Sequence, residues 1–371
     1  MSAPHLLHIF STFVPAGPET RTVRLINALG TELRHSILAI DGRTAARELL
    51  DPEVDTRILE APPKASTPRT FRALRAVMKA EQPDLVLSYN WGAFDSVFAT
   101  RSLGLARRHL HHEDGFNADE ADGFKGRREW TRRLFLPGVG RVIVPSHYLQ
   151  GVATRRWRLR EEHVRLVPNG TDLSRFSPGA PGEDRRRELG VDTDTPVVGF
   201  VGHLRPVKNP VRLVRAFAAV RAERPPVLLV LGEGPERAAM LAEAERLGCA
   251  DRVRLVGHQS DPAPWFAAMD IFAMSSDSEQ MPVALVEAMG CALPVASTDT
   301  GDVAHMLPEE QQPFVVEHED AALTTALQTL VASPDLRARL GSLNRARAEE
   351  RYTFESMLAA YRGLYLETLA R

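Results

Sequence analysis

The chain has 371 residues, of which 44% are hydrophobic and 25% charged, with a formal net charge of −2. This is an ordinary globular composition, long enough for two cores, and it excludes collagen-like, wholly disordered and disulfide-dense chains. The apolar runs are too short to span a membrane, Cys249 and Cys291 lack metal-ligand spacing, and MSAPHLLHIFSTFVPAG lacks the basic start and cleavage site of a secretion signal, so a cytoplasmic protein is expected.

Short apolar runs alternate with helical periodicity, the pattern of βαβ units around a parallel sheet. In chain order the expected strands are HLLHIF (5–10), SILAI (36–40), TRIL (56–59), DLVLSY (84–89), RHLHH (108–112), RVIVPS (141–146) and VRLVPN (164–169). Helices are expected to start near Glu19, Pro68, Ala93, Lys125 and Ser146. The turn-rich stretch VPNGTDLSRFSPGAPGED (167–184) reads as a connection between domains. A second series follows: TPVVGFVG (195–202), PVLLVLG (226–232), RVRLVG (252–257), DIFAMSS (270–276), LPVAST (293–298) and PFVVE (313–317). Its helices are expected near 209–223, 235–247, 282–291, 320–332 and 335–350, and Met357, Leu358, Tyr361, Leu364, Tyr365 and Leu369 mark a last one over 353–370. The expected fold class is α/β: two doubly wound, Rossmann-like domains, 1–175 and 190–352, facing each other across a cleft. Ligands of such sheets bind beyond the carboxyl ends of the strands, so chemistry is sought in the loops that follow strands.

Charge is unevenly spread. Residues 1–175 hold 26 Lys and Arg against 20 Asp and Glu, whereas the remainder holds 20 against 28. The segments GRREWTRRLF (126–135) and TRRWRLREEH (154–163) combine arginines with a tryptophan on expected helices. Such a surface suits peripheral contact with an anionic membrane, or is simply a pair of solvated helix faces; no groove-reading or stacking motif accompanies it, so nucleic acid is not an expected partner.

Four strand-end loops carry candidate chemistry. In FVPAGPETRTVRL (13–25), Gly17 lets the backbone approach a ligand at a helix N-terminus, but neither GxGxxG nor a P-loop is present, and a plain strand-to-helix turn explains the loop equally. In VGHLRPVKNP (201–210), Gly202 precedes Arg205 and Lys208, two cations on a proline-stiffened loop able to hold a diphosphate. Lysine is scarce here, four against 42 arginines, which adds weight to Lys208. In SSDSEQMPVALVEAMGCALPVAST (275–298), Pro282 suits the first turn of a helix whose free N–H groups would meet a phosphate. Glu279 in that loop and Glu287 on the helix could each accept from hydroxyls, and Glu287 stands in an otherwise apolar stretch where an unpaired carboxylate is costly. In HLHHEDGFNADEADG (109–123), His111, His112, Glu113 and Asp114 cluster before Gly115. Adjacent residues rarely converge on one ion, so these are read as polar groups facing a substrate rather than a metal site, with a loop-capping cluster around Gly115 as the alternative.

Taken together these residues resemble the retaining GT-B-fold glycosyltransferases of glycosyltransferase family 4. The likeness rests on Glu279, seven residues and Glu287; on the Arg205/Lys208 clamp; on PNGTDLSRFSP (168–178); and on the last helix. The resemblance implies that Glu279 meets the donor sugar hydroxyls and Glu287 the ribose. It further implies that Arg205 and Lys208 bind the nucleotide diphosphate, and that Gly17 lines the donor and acceptor side. Gly202, Gln280, Met281, Pro282, Val283 and Leu285 fall among the donor-binding positions, and the last helix, 353–371, would pack back on the first domain. His112, Glu113 and Asp114 would face the transferred sugar or the acceptor. The chain departs from the family pattern at Gln280 and Ala292, where glycine is common, and in having one glycine in the first loop where two are usual. The implied activity is transfer of a sugar from a nucleotide-diphosphate sugar to a glycan, lipid-linked or small-molecule acceptor, with no metal and no other cofactor. A non-hydrolysing nucleotide-sugar 2-epimerase on the same architecture, or a two-domain sugar-binding protein of the periplasmic type, are the alternatives.

Overall fold

The computed structural model describes residues 3–62, 67–116, 125–179 and 182–370, and the chain divides into two units, Met1–Asn169 with Met357–Arg371, and Gly170–Ser356. In the first unit, strands β1 (His5–Phe10), β2 (Arg34–Ala39), β3 (Thr56–Ile58), β4 (Leu85–Tyr89), β5 (His109–His112), β6 (Arg141–Val144) and β7 (Val164–Leu166) form one parallel sheet in the order 3-2-1-4-5-6-7. Helices α1 (Gly17–Leu29), α2 (Thr67–Glu81), α3 (Asp95–Ser102), α4 (Gly126–Phe135) and α5 (His147–Gly151) make the connections. Strand order reverses between β1 and β4, and that crossover is where a doubly wound sheet opens a crevice.

Parallel strands covered on both faces read as continuous apolar runs, and β1 and β4 are buried along their whole length. Strand β5 is three-quarters histidine and just as buried. The rings of His109 and His111 are satisfied inside the core: Ser88 Oγ lies 2.7 Å from both His109 Nε2 and His111 Nδ1, and Thr100 Oγ1 lies 2.8 Å from His109 Nδ1.

The second unit repeats the plan with β8 (Val197–Val201), β9 (Val227–Leu231), β10 (Val253–Gly257), β11 (Ile271–Met274), β12 (Val295–Thr298) and β13 (Val315–Val316), in the order 10-9-8-11-12-13. Its helices are α6 (Gly182–Glu188), α7 (Pro210–Ala219), α8 (Arg237–Arg246), α9 (Ala263–Phe266), α10 (Val283–Gly290), α11 (Val303–Met306), α12 (Asp320–Ala332) and α13 (Pro334–Arg351), and the chain ends in α14 (Phe354–Leu369). One core, including Leu229, Phe272, Leu285 and Met289, and another, including Val198, Phe217, Leu228 and Leu327, fill this unit. The crossover here lies between β8 and β11. Helix starts follow local chemistry: Asn209 accepts from the N–H of Arg212 at 3.2 Å ahead of Pro210, and Ser333 accepts from Leu336 at 3.3 Å ahead of Pro334.

Every strand expected from sequence is present. Three short helices, α6, α9 and α11, were not expected, and α6 begins inside the stretch read as a connection. Ala292 adopts a left-handed conformation (φ 55°), which explains why glycine suits that position better.

Candidate functional site

In the second unit the loops after β8 and β11 leave the sheet side by side at the crossover, because β8 pairs with β11. Glycine is obligatory beside them: a Cβ on Gly232 (φ 142°) would lie 1.9 Å from the carbonyl oxygen of Gly202. Arg205 precedes a single helical turn, Pro206–Lys208, which ends at Asn209 in a left-handed conformation (φ 44°). Ser275 Oγ lies 2.9 Å from the carbonyls of both Lys208 and Asn209, and the Asp277 N–H donates to Val207 at 2.8 Å. The two loops are thus laced together.

That lacing places Lys208 against Glu279. The ammonium pairs with the carboxylate, and Ser276 donates to the same oxygen, Glu279 Oε1, at 2.8 Å. From behind, Thr300 Oγ1 accepts from the Glu279 N–H at 3.1 Å and the Asp302 N–H donates to the Gln280 carbonyl at 3.1 Å. Arg205 is exposed on the same loop and makes no ion pair among the described residues. Pro282 precedes α10, whose first N–H groups have no partner within the helix. Met281, Pro282 and Leu285 are buried, Val283 and Glu287 half-buried, and the side-chain oxygen of Gln280 is buried without a hydrogen-bond partner. A cation pair, a helix N-terminus and two carboxylates on one rim can hold a diphosphate and hydrogen-bond hydroxyls.

In the first unit the corresponding crossover carries different groups. Gly17 is the first residue of α1 and would meet nothing within 4 Å if it bore a Cβ. His112 ends β5. Its Nδ1 donates to the Ser88 carbonyl at 3.1 Å, its ring stacks on Tyr89 at 4.5 Å, and its Nε2 is buried without a partner. Burial, reinforced by the charge of Arg21, holds its pKa well below the ordinary value, so the ring is neutral and Nε2 is an acceptor. Asp114 engages Arg21 of α1 through both oxygens, at 3.0 Å for Oδ2 and closer for Oδ1, and its N–H donates to Asn90 at 2.7 Å. Arg21 also donates to Asn169 at 3.1 Å.

Glu113 corrects the sequence expectation. It is fully buried, its Oε1 lies 2.6 Å from Arg132 Nε and 3.4 Å from His111 Nε2, and Arg132 is itself sealed beneath Trp91 and Trp157 at 5.0 Å. That carboxylate neutralises a buried cation and has no edge left for a sugar. Sequence reading also missed Glu19, in the first turn of α1. It is only 8% exposed, its Oε2 has no partner, and burial, with the charge of Asp114 nearby, pushes its carboxyl up to about 7. The signal was a carboxylate two residues from an arginine on a strand-end helix, and nothing in sequence shows that Asp114 takes that arginine. Residues 117–123 of the fourth loop lie outside the described residues.

Two parallel sheets, each opening at the crossover of its first and fourth strands, define a protein of the GT-B class. Solved structures with this fold include Alr3699/HepE of Anabaena in complex with UDP (TM-score 0.83, 19% identity, covering 98% of this chain and all of that one). Sucrose-phosphate synthase of Thermosynechococcus elongatus is similar (TM-score 0.81, 21% identity, 99% of each chain). Residues 182–347 match the family model for glycosyl transferases group 1, and 15–175 that for glycosyltransferase family 4. A D-inositol 3-phosphate glycosyltransferase of Streptomyces scabiei is 31% identical over 303 residues, 76% of this chain and 67% of the relative. That of Actinosynnema mirum is 36% identical over 216 residues, 53% of this chain and 51% of the relative. The chain belongs to glycosyltransferase family 4. It matches about half the length of several of these curated relatives.

Proposed function

We propose that the chain is a retaining glycosyltransferase that moves a sugar from a nucleotide-diphosphate sugar to a hydroxyl of its acceptor without a metal. The observation that carries this reading is the Lys208–Glu279 pair, set with Arg205 and the α10 N-terminus at one crossover. When the bond between the anomeric carbon and the leaving phosphate oxygen breaks, negative charge collects on the diphosphate. Arg205, Lys208 and the α10 N–H groups are preorganised to stabilise it. Glu279 accepts from the sugar hydroxyls and Glu287 from the ribose. The acceptor oxygen bonds to the anomeric carbon on the face the phosphate leaves, and its proton passes to the departing phosphate oxygen, so no protein nucleophile is needed. His112 Nε2 accepts from a hydroxyl of the transferred sugar. No group of three or more His, Cys, Asp or Glu among the described residues is placed to hold a metal.

The acceptor is a glycan, a lipid-linked sugar or a small molecule. A face for anionic membrane is offered by α4, where Trp130 (68% exposed) and Leu134 (65% exposed) stand one turn apart among arginines. No helix among the described residues is long and apolar enough to cross a membrane. The reaction proposed is one of glycan synthesis in the cytoplasm. The deciding experiment is a thermal-shift screen of UDP-, GDP- and ADP-sugars, followed by incubation of the labelled donor with an acceptor panel. A new glycoside with retained anomeric configuration is the expected product. An isomerised sugar nucleotide would establish the 2-epimerase, and sugar binding with no turnover the binding protein.

A further inference from the structure

The crevice between β1 and β4 holds two buried acceptor atoms that lack hydrogen-bond partners, Glu19 Oε2 and His112 Nε2, beside one unpartnered donor, Arg21 Nε. The two acceptors come from separate segments, the first turn of α1 and the last residue of β5. Native proteins leave few buried polar atoms unsatisfied, because each costs the full desolvation of the group. The obvious partner for Glu19 would be Arg21, two residues along the same helix, yet both terminal nitrogens of Arg21 are committed to Asp114 and Asn169. Asp114 in turn is fixed by Asn90, whose own N–H donates to the His112 carbonyl at 2.7 Å. The terminal nitrogens of Arg21 are therefore spent on Asp114 and Asn169, and Glu19 is left without them.

The chemistry of the two atoms is the same. The neutral imidazole accepts at Nε2, and the Glu19 carboxylate, ionised above about pH 7, only accepts. Both need a donor, and a hydroxyl supplies one. A phosphomonoester offers acceptors and negative charge, and above pH 7 the net charge of ionised Glu19 with the Arg21–Asp114 pair is itself negative. Resting on the transferase reading above, we propose that this crevice binds the acceptor as a neutral polyol, with Glu19 the hydrogen-bond partner of an acceptor hydroxyl, and discriminates against a phosphate-bearing acceptor. In this it would differ from its relatives named D-inositol 3-phosphate glycosyltransferases.

The test uses the full chain and whichever of UDP-glucose, UDP-N-acetylglucosamine and GDP-mannose gives the largest thermal shift. Nucleoside diphosphate release is followed with water alone, methyl α-glucoside, myo-inositol or inositol 3-phosphate. The neutral polyols are expected to raise release above the hydrolytic background, and the phosphate to do so at least tenfold less well. Glu19→Ala should lower kcat/KM for the polyol roughly 10–100-fold, as loss of a hydrogen bond to a charged group does. Glu19→Gln should recover part of the loss. Neither should change calorimetric affinity for the nucleoside diphosphate or lower the melting temperature at pH 8, where a structural role predicts a fall. A preference for inositol 3-phosphate overturns the proposal. So does a Glu19→Ala enzyme with wild-type kcat/KM, or one whose loss is matched by a lower melting temperature. Polyols that leave release at background while the nucleotide still binds overturn it alone; no nucleotide binding at all overturns the transferase reading with it.

Discussion

Replacing Glu113 by alanine should unfold the first unit far more readily without touching the chemistry of transfer. Arg132 is fully buried, with its guanidinium against the rings of Trp91, Trp157 and Phe116 at 5.0 to 5.7 Å, and Glu113 pairs with it at 2.6 and 3.3 Å. Removing one member of a buried pair leaves the other charge uncompensated, at a cost of about 3–5 kcal/mol. Against a total stability of about 5–15 kcal/mol that is a large fraction. For a unit of this size each kcal/mol moves the midpoint by about 2–4 °C, so a fall of about 6–20 °C is expected. Calorimetric melting of wild type, Glu113→Ala and the double variant Glu113→Ala/Arg132→Met measures it. The double variant should recover most of the loss, since an apolar replacement of a buried pair is often neutral. Transfer per folded molecule, measured well below the lowered midpoint, should stay near wild type. A Glu113→Ala protein that melts within a degree of wild type would refute the reasoning. One that melts normally but no longer transfers would restore Glu113 to the substrate.

Acid should weaken the first unit. His35 has its pKa lowered to about 4 by burial, so the unfolded chain takes up a proton before the folded one; the stability it contributes is fully present above pH 6.5 and lost as pH falls toward 4, about 3 kcal/mol in all. His8, His109 and His112 act in the same direction, while Glu19, raised to about 7, opposes them, gaining stability as pH falls from 7 toward 4.5; urea midpoints across pH 4–8 that do not fall toward acid would contradict this balance. Arg205→Ala and Lys208→Ala should each lower transfer by roughly 10²–10³, as loss of a preorganised transition-state donor does; near-normal kcat/KM in both would remove the clamp. Activity should survive EDTA, and strict dependence on a divalent ion would defeat the metal-free mechanism.

The sheets were legible because parallel strands covered on both faces are written as apolar runs bounded by turn residues, and even β5 kept its strand position despite three histidines. The meeting of Lys208 and Glu279 has a related reason: both stand in loops directly after strands that pair at the crossover. The register of the acidic cluster was not legible. Glu113 and Asp114 are neighbours in sequence, and what separates their roles is distant: Arg132 on α4 claims one and Arg21 on α1 the other. The arginines of GRREWTRRLF look like a solvated face, and nothing in the sequence singles out Arg132 as the one that is buried. Helices α6, α9 and α11 have seven, four and four residues, too short for a period to show among turn formers.

The Lys208–Glu279 pair carries an argument about how the donor is bound. Lys208 and Glu279 satisfy each other in the structure, yet the proposed chemistry asks Lys208 to serve a diphosphate and Glu279 a sugar. An ammonium has three donors, so Lys208 can add a phosphate oxygen while keeping Glu279. The negative charge of Glu279 remains close by, however, and opposes the incoming diphosphate. That repulsion is offset only when hydroxyls of the donor sugar hydrogen-bond to the carboxylate. The two effects have opposite signs, and Glu279→Ala separates them. A nucleoside diphosphate without its sugar should bind the variant up to about 5-fold more tightly, the scale of a partly screened pair. The complete nucleotide sugar should bind roughly 10–100-fold more weakly, having lost hydrogen bonds to a charged group. Calorimetry with both ligands measures the difference. Parallel weakening of both would mean that Glu279 serves only to position Lys208, and unchanged affinity for both would place the sugar elsewhere.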